Sequence, residues 1–196
     1  GKPEAAIKSG TFKGVVRGIE ASEFPTIPEY DLGNSIILEA SLLKEMIQAT
    51  AFAASTDQAR PVLEGVQLSL NGNILAMAAT DGFRLAVKKA ALPVSVGSQQ
   101  VIIPASSLKE TVRVLSATKP DQVHLLVPQK GSQVVLRAGN VQLISQLIDG
   151  RFPDYQMIVP KGYKTRTVLG TADLLKACKQ AAIIAREGGN VIQLRL

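Results

Sequence analysis

At 196 residues, 46% hydrophobic and 19% charged, the chain is long and apolar enough to bury a core and is not a disordered tail. Aromatic residues make up only 4% and Trp is absent, which argues against recognition of bases on aromatic stacking platforms. A net charge of +6 points to a polyanionic partner, nucleic acid before membrane, against the plainer alternative that mild basicity only aids solubility. The single cysteine, Cys178, excludes an internal disulfide and suits a reducing compartment. No apolar run approaches the ~20 residues that a bilayer crossing needs, so no membrane association is expected. The opening GKPEAAIKSG has neither an apolar signal core nor an initiator Met. The chain reads as a soluble, cytoplasmic fragment.

In chain order, residues 1–30 end in the Pro-rich Phe24-Pro25-Thr26-Ile27-Pro28 and read as the closing piece of a preceding domain. A strand at Ser35 to Leu38 leads into a helix whose apolar positions, Leu42, Leu43, Met46, Ile47 and Phe52, follow helical spacing, with Ser41 near its entry. Strands from Val66 to Leu70 and Ile74 to Ala79 flank Asn71-Gly72, residue types that tolerate the positive φ of a tight hairpin. Asp81-Gly82 makes a second turn before a strand from Arg84 to Ala91. The scheme then repeats. A strand from Gln100 to Ile103 precedes a helix carrying Leu108, Val112 and Leu115. Strands follow at Val123 to Val127, at Val134 to Arg137 after a turn around Gln129-Lys130-Gly131, and at Val141 to Leu147. Residues 165 to 196 read as the first helix of a further domain, cut off after its next strand.

Self-comparison strengthens this reading. Ala40-Ser41-Leu42-Leu43-Lys44-Glu45 recurs as Ala105-Ser106-Ser107-Leu108-Lys109-Glu110, displaced by 65 with five of six positions identical. A third copy, Thr171-Ala172-Asp173-Leu174-Leu175-Lys176, lies 132 beyond Leu42-Leu43-Lys44, and Phe24-Pro25 recurs 128 later as Phe152-Pro153. Spacings near 65 and 130 describe a half-unit, one strand, a helix and three strands, and a full α+β unit made of two of them.

Catalytic machinery is not evident. The one histidine, His124, falls in a strand without metal-ligand spacing around it, and Cys178 sits among Leu174, Leu175 and Ala181 as a small, buried helix residue. Neither a phosphate loop nor a nucleophile elbow occurs, and no metal or cofactor is expected. What remains is binding. The helices carry Lys44, Lys109 with Arg113, and Lys176 with Lys179, cations able to meet phosphates without reading bases if repetition turns the helices to one side. Ordinary solvated helix faces are the competing reading, because Glu45 and Glu110 adjoin two of the lysines.

Three stretches carry a family resemblance: Arg60-Pro61-Val62-Leu63-Glu64-Gly65, Ala79-Thr80-Asp81-Gly82-Phe83-Arg84-Leu85-Ala86, and Leu147-Ile148-Asp149-Gly150-Arg151-Phe152-Pro153-Asp154-Tyr155. In this order and spacing they resemble the beta subunits of bacterial DNA polymerase III, the sliding-clamp family, over essentially the whole chain. The resemblance implies the α+β DNA clamp fold, with duplicated units, helices on an inner face and antiparallel sheets outside. It implies three similar domains per chain and two chains closing head to tail around duplex DNA. Residues 1–30 would then end the first domain, 31–158 form the complete middle domain (half-units about 35–98 and 99–158), and 159–196 hold a linker and the start of the third.

The implied role is non-enzymatic: a processivity factor that also docks polymerases, the clamp loader and repair proteins through linear peptides. The implied groove is lined by Arg60, Leu63, Thr80, Gly82, Phe83, Arg84, Leu85, Pro153, Met157 and Ile158, where Leu63, Leu85, Pro153 and Ile158 supply an apolar cleft and Arg84 orients a polar group. Ile183 and Ile184 match an apolar pair at the ring-closing dimer interface. Phe83 and Met157 stand where other members can carry polar or basic residues, and Asp57 is an unsuitable phosphate contact in the Ser55 to Ala59 loop, which resembles a DNA-approaching segment. The alternative is a free-standing basic nucleic-acid-binding domain that forms no ring.

Overall fold

A computed structural model describes residues 3–23, 30–127, 131–186 and 191–195, and the chain divides into two compact units, Gly1–Phe152 and Pro153–Leu196. The first unit opens with a hairpin, β1 (Glu4–Ser9) and β2 (Phe12–Arg17), which among the described residues pairs only with itself. Then follow β3 (Ile36–Glu39), α1 (Ala40–Thr50), β4 (Gly65–Asn71), β5 (Ile74–Thr80), β6 (Leu85–Ala91), β7 (Ser98–Pro104), α2 (Ala105–Thr118), β8 (Gln122–Leu126), β9 (Gln133–Ala138) and β10 (Val141–Gln146). The expected strands and helices of residues 35 to 147 are present with small shifts of their ends. Gln129 and Lys130, expected in a turn, and Phe24 to Pro28 lie outside the described residues.

The sheets are assembled differently from the sequence repeat. One is ordered β6-β5-β4-β7 and the other β10-β9-β8-β3, both antiparallel. Each strand that leads into a helix therefore joins the sheet of the other half. Leu38 lies opposite Val123, and Val66 opposite Ile103. The cause is the direct strand-to-helix junction at Glu39-Ala40 and at Pro104-Ala105. A helix that continues straight from its strand has no loop with which to fold back over that strand. Beyond the contact with its own leading strand it packs over later strands: α1 over β5 and β6, α2 over β9 and β10, with the helices against each other.

Ser41 lies near the entry of α1 as expected, but the junctions leave the capping to other residues. Neither α1 nor α2 begins with a Ser or Thr cap; the capping positions are Glu39 and Pro104, without a side-chain cap bond. Glu39 is still paired with Gln122, and Ser41 donates to its carboxylate. The first amide of α1, Ala40 N–H, donates instead to the carbonyl of Asp121 (3.0 Å), ahead of β8. Phe52 is likewise not part of the helical stripe. It lies beyond α1 in the 3-10 turn Ala51–Ala53 and is exposed.

One core serves both halves. α1 buries Leu43, Met46, Ile47 and Thr50, and α2 buries Leu108, Thr111 and Leu115, so the 65-residue displacement pairs Leu43 with Leu108, Met46 with Thr111 and Thr50 with Leu115. The sheets add Val66, Leu68, Leu70, Leu75, Met77, Val123, Leu125, Val134 and Leu136 at alternating positions. The hydroxyls of Thr50 and Thr111 donate to carbonyls one turn back, Met46 O (2.8 Å) and Ser107 O (2.9 Å). Both are thereby buried without an unmet donor.

The second unit holds a 3-10 turn, Tyr155–Met157, and α3 (Thr171–Ala185). The strand expected after α3 is not formed among the described residues, where 191–195 lack a partner strand. α3 buries none of its described residues, and Cys178, expected to be buried, is half-buried. Leu175 is 52% exposed where Leu43 and Leu108 are each 1% exposed. Leu43→Ala and Leu108→Ala are each expected to cost about 2–5 kcal/mol in chemical denaturation, whereas Leu175→Ala should stay within about 0.5 kcal/mol. Equal costs at all three positions would contradict this assignment of the core.

Candidate functional site

The turn between β5 and β6 is built by one carboxylate. Asp81 Oδ1 accepts from the amides of Phe83 (2.9 Å) and Arg84 (3.0 Å), while Oδ2 receives Arg84 Nε (3.0 Å). Thr80 closes the same turn, donating from Oγ1 to Arg84 O (2.7 Å) and accepting from Gly82 N–H (3.0 Å). Gly82 has φ +94°, a conformation costly for a residue with a Cβ. Arg84 then reaches Phe52: Nη2 donates to the Phe52 carbonyl (3.0 Å), and the guanidinium lies 5.6 Å from the ring centroid. Phe83 at the tip is 95% exposed.

A second such arrangement precedes β4. Asp57 Oδ1 accepts from Ala59 N–H (3.0 Å), and Oδ2 pairs with Arg60 Nε at 3.2 Å. The chain then turns through Pro61–Glu64, where Leu63 N–H donates to Arg60 O and Leu63 O accepts from Ser55 N–H. Arg60 Nη1 sits where a Cβ on Gly82 would be only 3.2 Å away, so the two turns touch.

The segment after β10 joins them. Ile148 N–H donates to Ile102 O (2.8 Å); added Cβ atoms on Gly65 and Gly150 would lie 2.9 Å from Ile148 Cδ1 and 2.7 Å from Val62 Cγ2. Three stretches far apart in sequence thus converge at one corner of the first unit. Arg60, Phe83, Arg84 and Gly82 are exposed there, Leu63 and Leu85 are half-buried, and Thr80 is buried. Leu63 and Leu85 are therefore not plain core residues. Pro153, Met157 and Ile158 belong to the second unit, where all three are exposed. Phe52, Asp57 and Asp81 were missed as site-shaping residues. The repeated Asp-x-x-Arg spacing, 57 to 60 and 81 to 84, was the legible signal.

On the helices, Lys44 is half-buried and Lys109 and Arg113 are exposed. The acids beside the two lysines have other partners: Glu45 reaches Lys88 on β6 (2.5 Å), and Glu110 pairs with Arg113 itself (2.9 Å). Among the described residues neither Lys44 nor Lys109 forms an ion pair. Lys176, Lys179, Ile183 and Ile184 are exposed on α3. His124 Nδ1 lies 2.9 Å from Ser35 Oγ, whose own proton goes to Leu32 O, so this histidine has a structural partner. Among the described residues no group of three candidate ligands could hold a metal ion, and no helix is long and apolar enough to cross a membrane.

Paired helices laid over two four-stranded antiparallel sheets define a DNA-clamp domain. The chain belongs to the DNA polymerase III beta subunit family, the bacterial sliding clamps, with residues 37–154 matching its central domain. It is 35% identical over 190 residues to the beta sliding clamp of Bacillus subtilis, covering 96% of this chain and 50% of that protein. The crystal structure of the Bacillus subtilis sliding clamp superimposes with a TM-score of 0.81 at 34% identity, over 94% of this chain and 48% of that one. A Pseudomonas aeruginosa sliding clamp bound to griselimycin does so with a TM-score of 0.77 at 30% identity, over 92% and 48%. The chain spans about half the length of the curated relatives it matches. Membership is in the family of the clamp, an accessory subunit without a catalytic role of its own.

Hydrogen bonds from the amides of Arg84 and Phe83, reinforced by the Arg84 side chain, hold the Asp81 carboxyl below its ordinary value of 3.8. Asp57 is lowered likewise by the Ala59 amide and by Arg60. A carboxyl depressed in the folded state contributes fully above its unfolded value and loses that contribution as pH falls through the folded one. The Phe83 and Arg84 amide shifts should therefore titrate by NMR with a midpoint below 3.8. Asp81→Asn should abolish that titration; a midpoint at or above the ordinary value would refute the geometry.

Proposed function

We propose that the chain is the working middle of a polymerase processivity factor, a clamp that encircles duplex DNA and docks partner proteins through linear peptides at the β5–β6 corner. The observation that carries this reading is the convergence of Arg60, Leu63, Thr80, Gly82, Phe83, Arg84 and Leu85 with the segment leading out of β10. Half-buried leucines offer a cleft for apolar anchors, and fixed guanidinium groups beside them offer donors for backbone or carboxylate oxygens. The clamp of Pseudomonas aeruginosa, a relative bound to griselimycin, supports ligand binding by this fold. Lys44, Lys109, Arg113, Lys176 and Lys179 face the DNA, Ile183 and Ile184 close the ring against a second chain, and the protein works in the bacterial cytoplasm. The middle clamp domain is taken as 31–158, between the end of one domain (1–30) and the start of another (159–196).

Holding by enclosure rather than by tight contact has a direct consequence. The protein in the full length its gene encodes, loaded on nicked circular DNA, should be retained and should then leave when the circle is linearised. Retention on linear DNA with an affinity falling steeply in salt would instead favour a free-standing basic nucleic-acid-binding domain. Lys44→Glu combined with Lys109→Glu should shorten residence on the circle several-fold without changing the helix content measured by circular dichroism. An unchanged residence would remove these lysines from the DNA path. A fluorescein-labelled peptide copied from the clamp-binding segment of the same organism's replicative polymerase should bind the full-length protein. Lack of binding would sink the groove assignment.

A further inference from the structure

Two side chains outside the proposed groove set the geometry of two inside it. Asp57 and Asp81 are built into their turns in the same way: one carboxylate oxygen accepts from a backbone amide two residues on, and the other holds Nε of an arginine three residues on. An arginine side chain otherwise samples many rotamers, and ordering it at an interface costs binding free energy. Here that ordering is largely done in advance. Arg84 is held at two of its three nitrogens, Nε by Asp81 and Nη2 by the Phe52 carbonyl, with the guanidinium carbon over the Phe52 ring. Among the described residues Nη1 of Arg84 makes no hydrogen bond. Arg60 is held at Nε, and its Nη1 lies against Gly82, where the absent side chain leaves room.

We infer that Asp57 and Asp81 are positioning residues, which lock Arg60 and Arg84 so that their remaining N–H groups meet carbonyl or carboxylate oxygens of a docked peptide. This rests on the peptide-docking reading above and adds to it a reason for two acidic residues beside a site meant for acidic or carbonyl groups. Their negative charges are spent on the arginines, and what faces the ligand is the unpaired edge of each guanidinium. Phe52 serves the same end for Arg84 through its carbonyl and ring.

The test uses asparagine, because its amide oxygen still accepts from the backbone amides while its NH2 cannot accept from Nε. With the labelled polymerase peptide and the full-length protein, Asp81→Asn should weaken binding about three- to tenfold, the scale of freeing one ordered side chain. The thermal midpoint should fall only slightly, by the small contribution of an exposed carboxylate, and Asp57→Asn should act likewise. In an Arg84→Ala background Asp81→Asn should have no further effect, whereas a purely structural role would give additive losses. If Arg84→Ala leaves no binding to measure, the Nε–H proton resonance of Arg84 decides: accelerated exchange in Asp81→Asn supports the inference, and unchanged exchange overturns it. Wild-type protein that binds the peptide while Asp81→Asn binds equally well would defeat the positioning role alone. Wild-type protein that fails to bind would defeat the docking reading first.

Discussion

The pairing of β3 with β8 and of β7 with β4 is the constraint on which the first unit rests. Each half contributes a strand to a sheet it does not otherwise own, so neither sheet reaches four strands without the other half. The hydrogen bond from Ala40 N–H to Asp121 O ties the start of α1 to the entry of β8 in the same exchange. Because both leading strands run directly into helices, crossing them over also brings α1 against α2 and closes one core over both sheets. A duplicated sequence becomes a single cooperative body rather than two small ones. That matters energetically, since a half of about 65 residues would bury too little of its surface to be secure.

The candidate site inherits its position from this arrangement. β7 lies beside β4, so Ile102 is placed to accept from Ile148, and the segment leaving β10 is drawn across the turn at Pro61–Glu64. β6 closes back on β5 from Thr80 opposite Leu85, so the Asp81 turn stands at that end of the sheet with Arg60 against Gly82. The corner is rigid at its base, where Gly65 admits Ile102 and Ile148 too closely for any side chain, and exposed at its tip, where Phe83 stands free of cover. A close-packed base under an exposed aromatic tip leaves little backbone to reorganise when that tip is covered.

The cations behave differently from what proximity in sequence suggests. Glu45 and Glu110 adjoin Lys44 and Lys109 in the chain, yet on a helix adjacent residues point about 100° apart, and the acids find partners three residues on or across the sheet. Exposed ion pairs of this kind add little to stability, about 0–1 kcal/mol. Their effect here is to leave the two repeat-related lysines uncommitted, a condition that favours loose contact with phosphates.

Periodicity and repetition alone determined the α+β class, the order of strands and helices from 35 to 147, and the equivalence of Leu43 with Leu108. Residue pattern within a few turns encodes all of these, because amphipathic spacing and turn chemistry are local. The exchange of leading strands was not legible, since strand partners are chosen by which connections the chain can close, and alternation within a strand does not name its neighbour. Nor were the roles of Phe52 and Asp57: one read as a helix residue and the other as a misplaced acid. Only the tertiary structure put Phe52 under Arg84 and Arg60 beside Gly82, contacts between residues up to 32 positions apart that exist because two turns are carried to the same corner by the sheet.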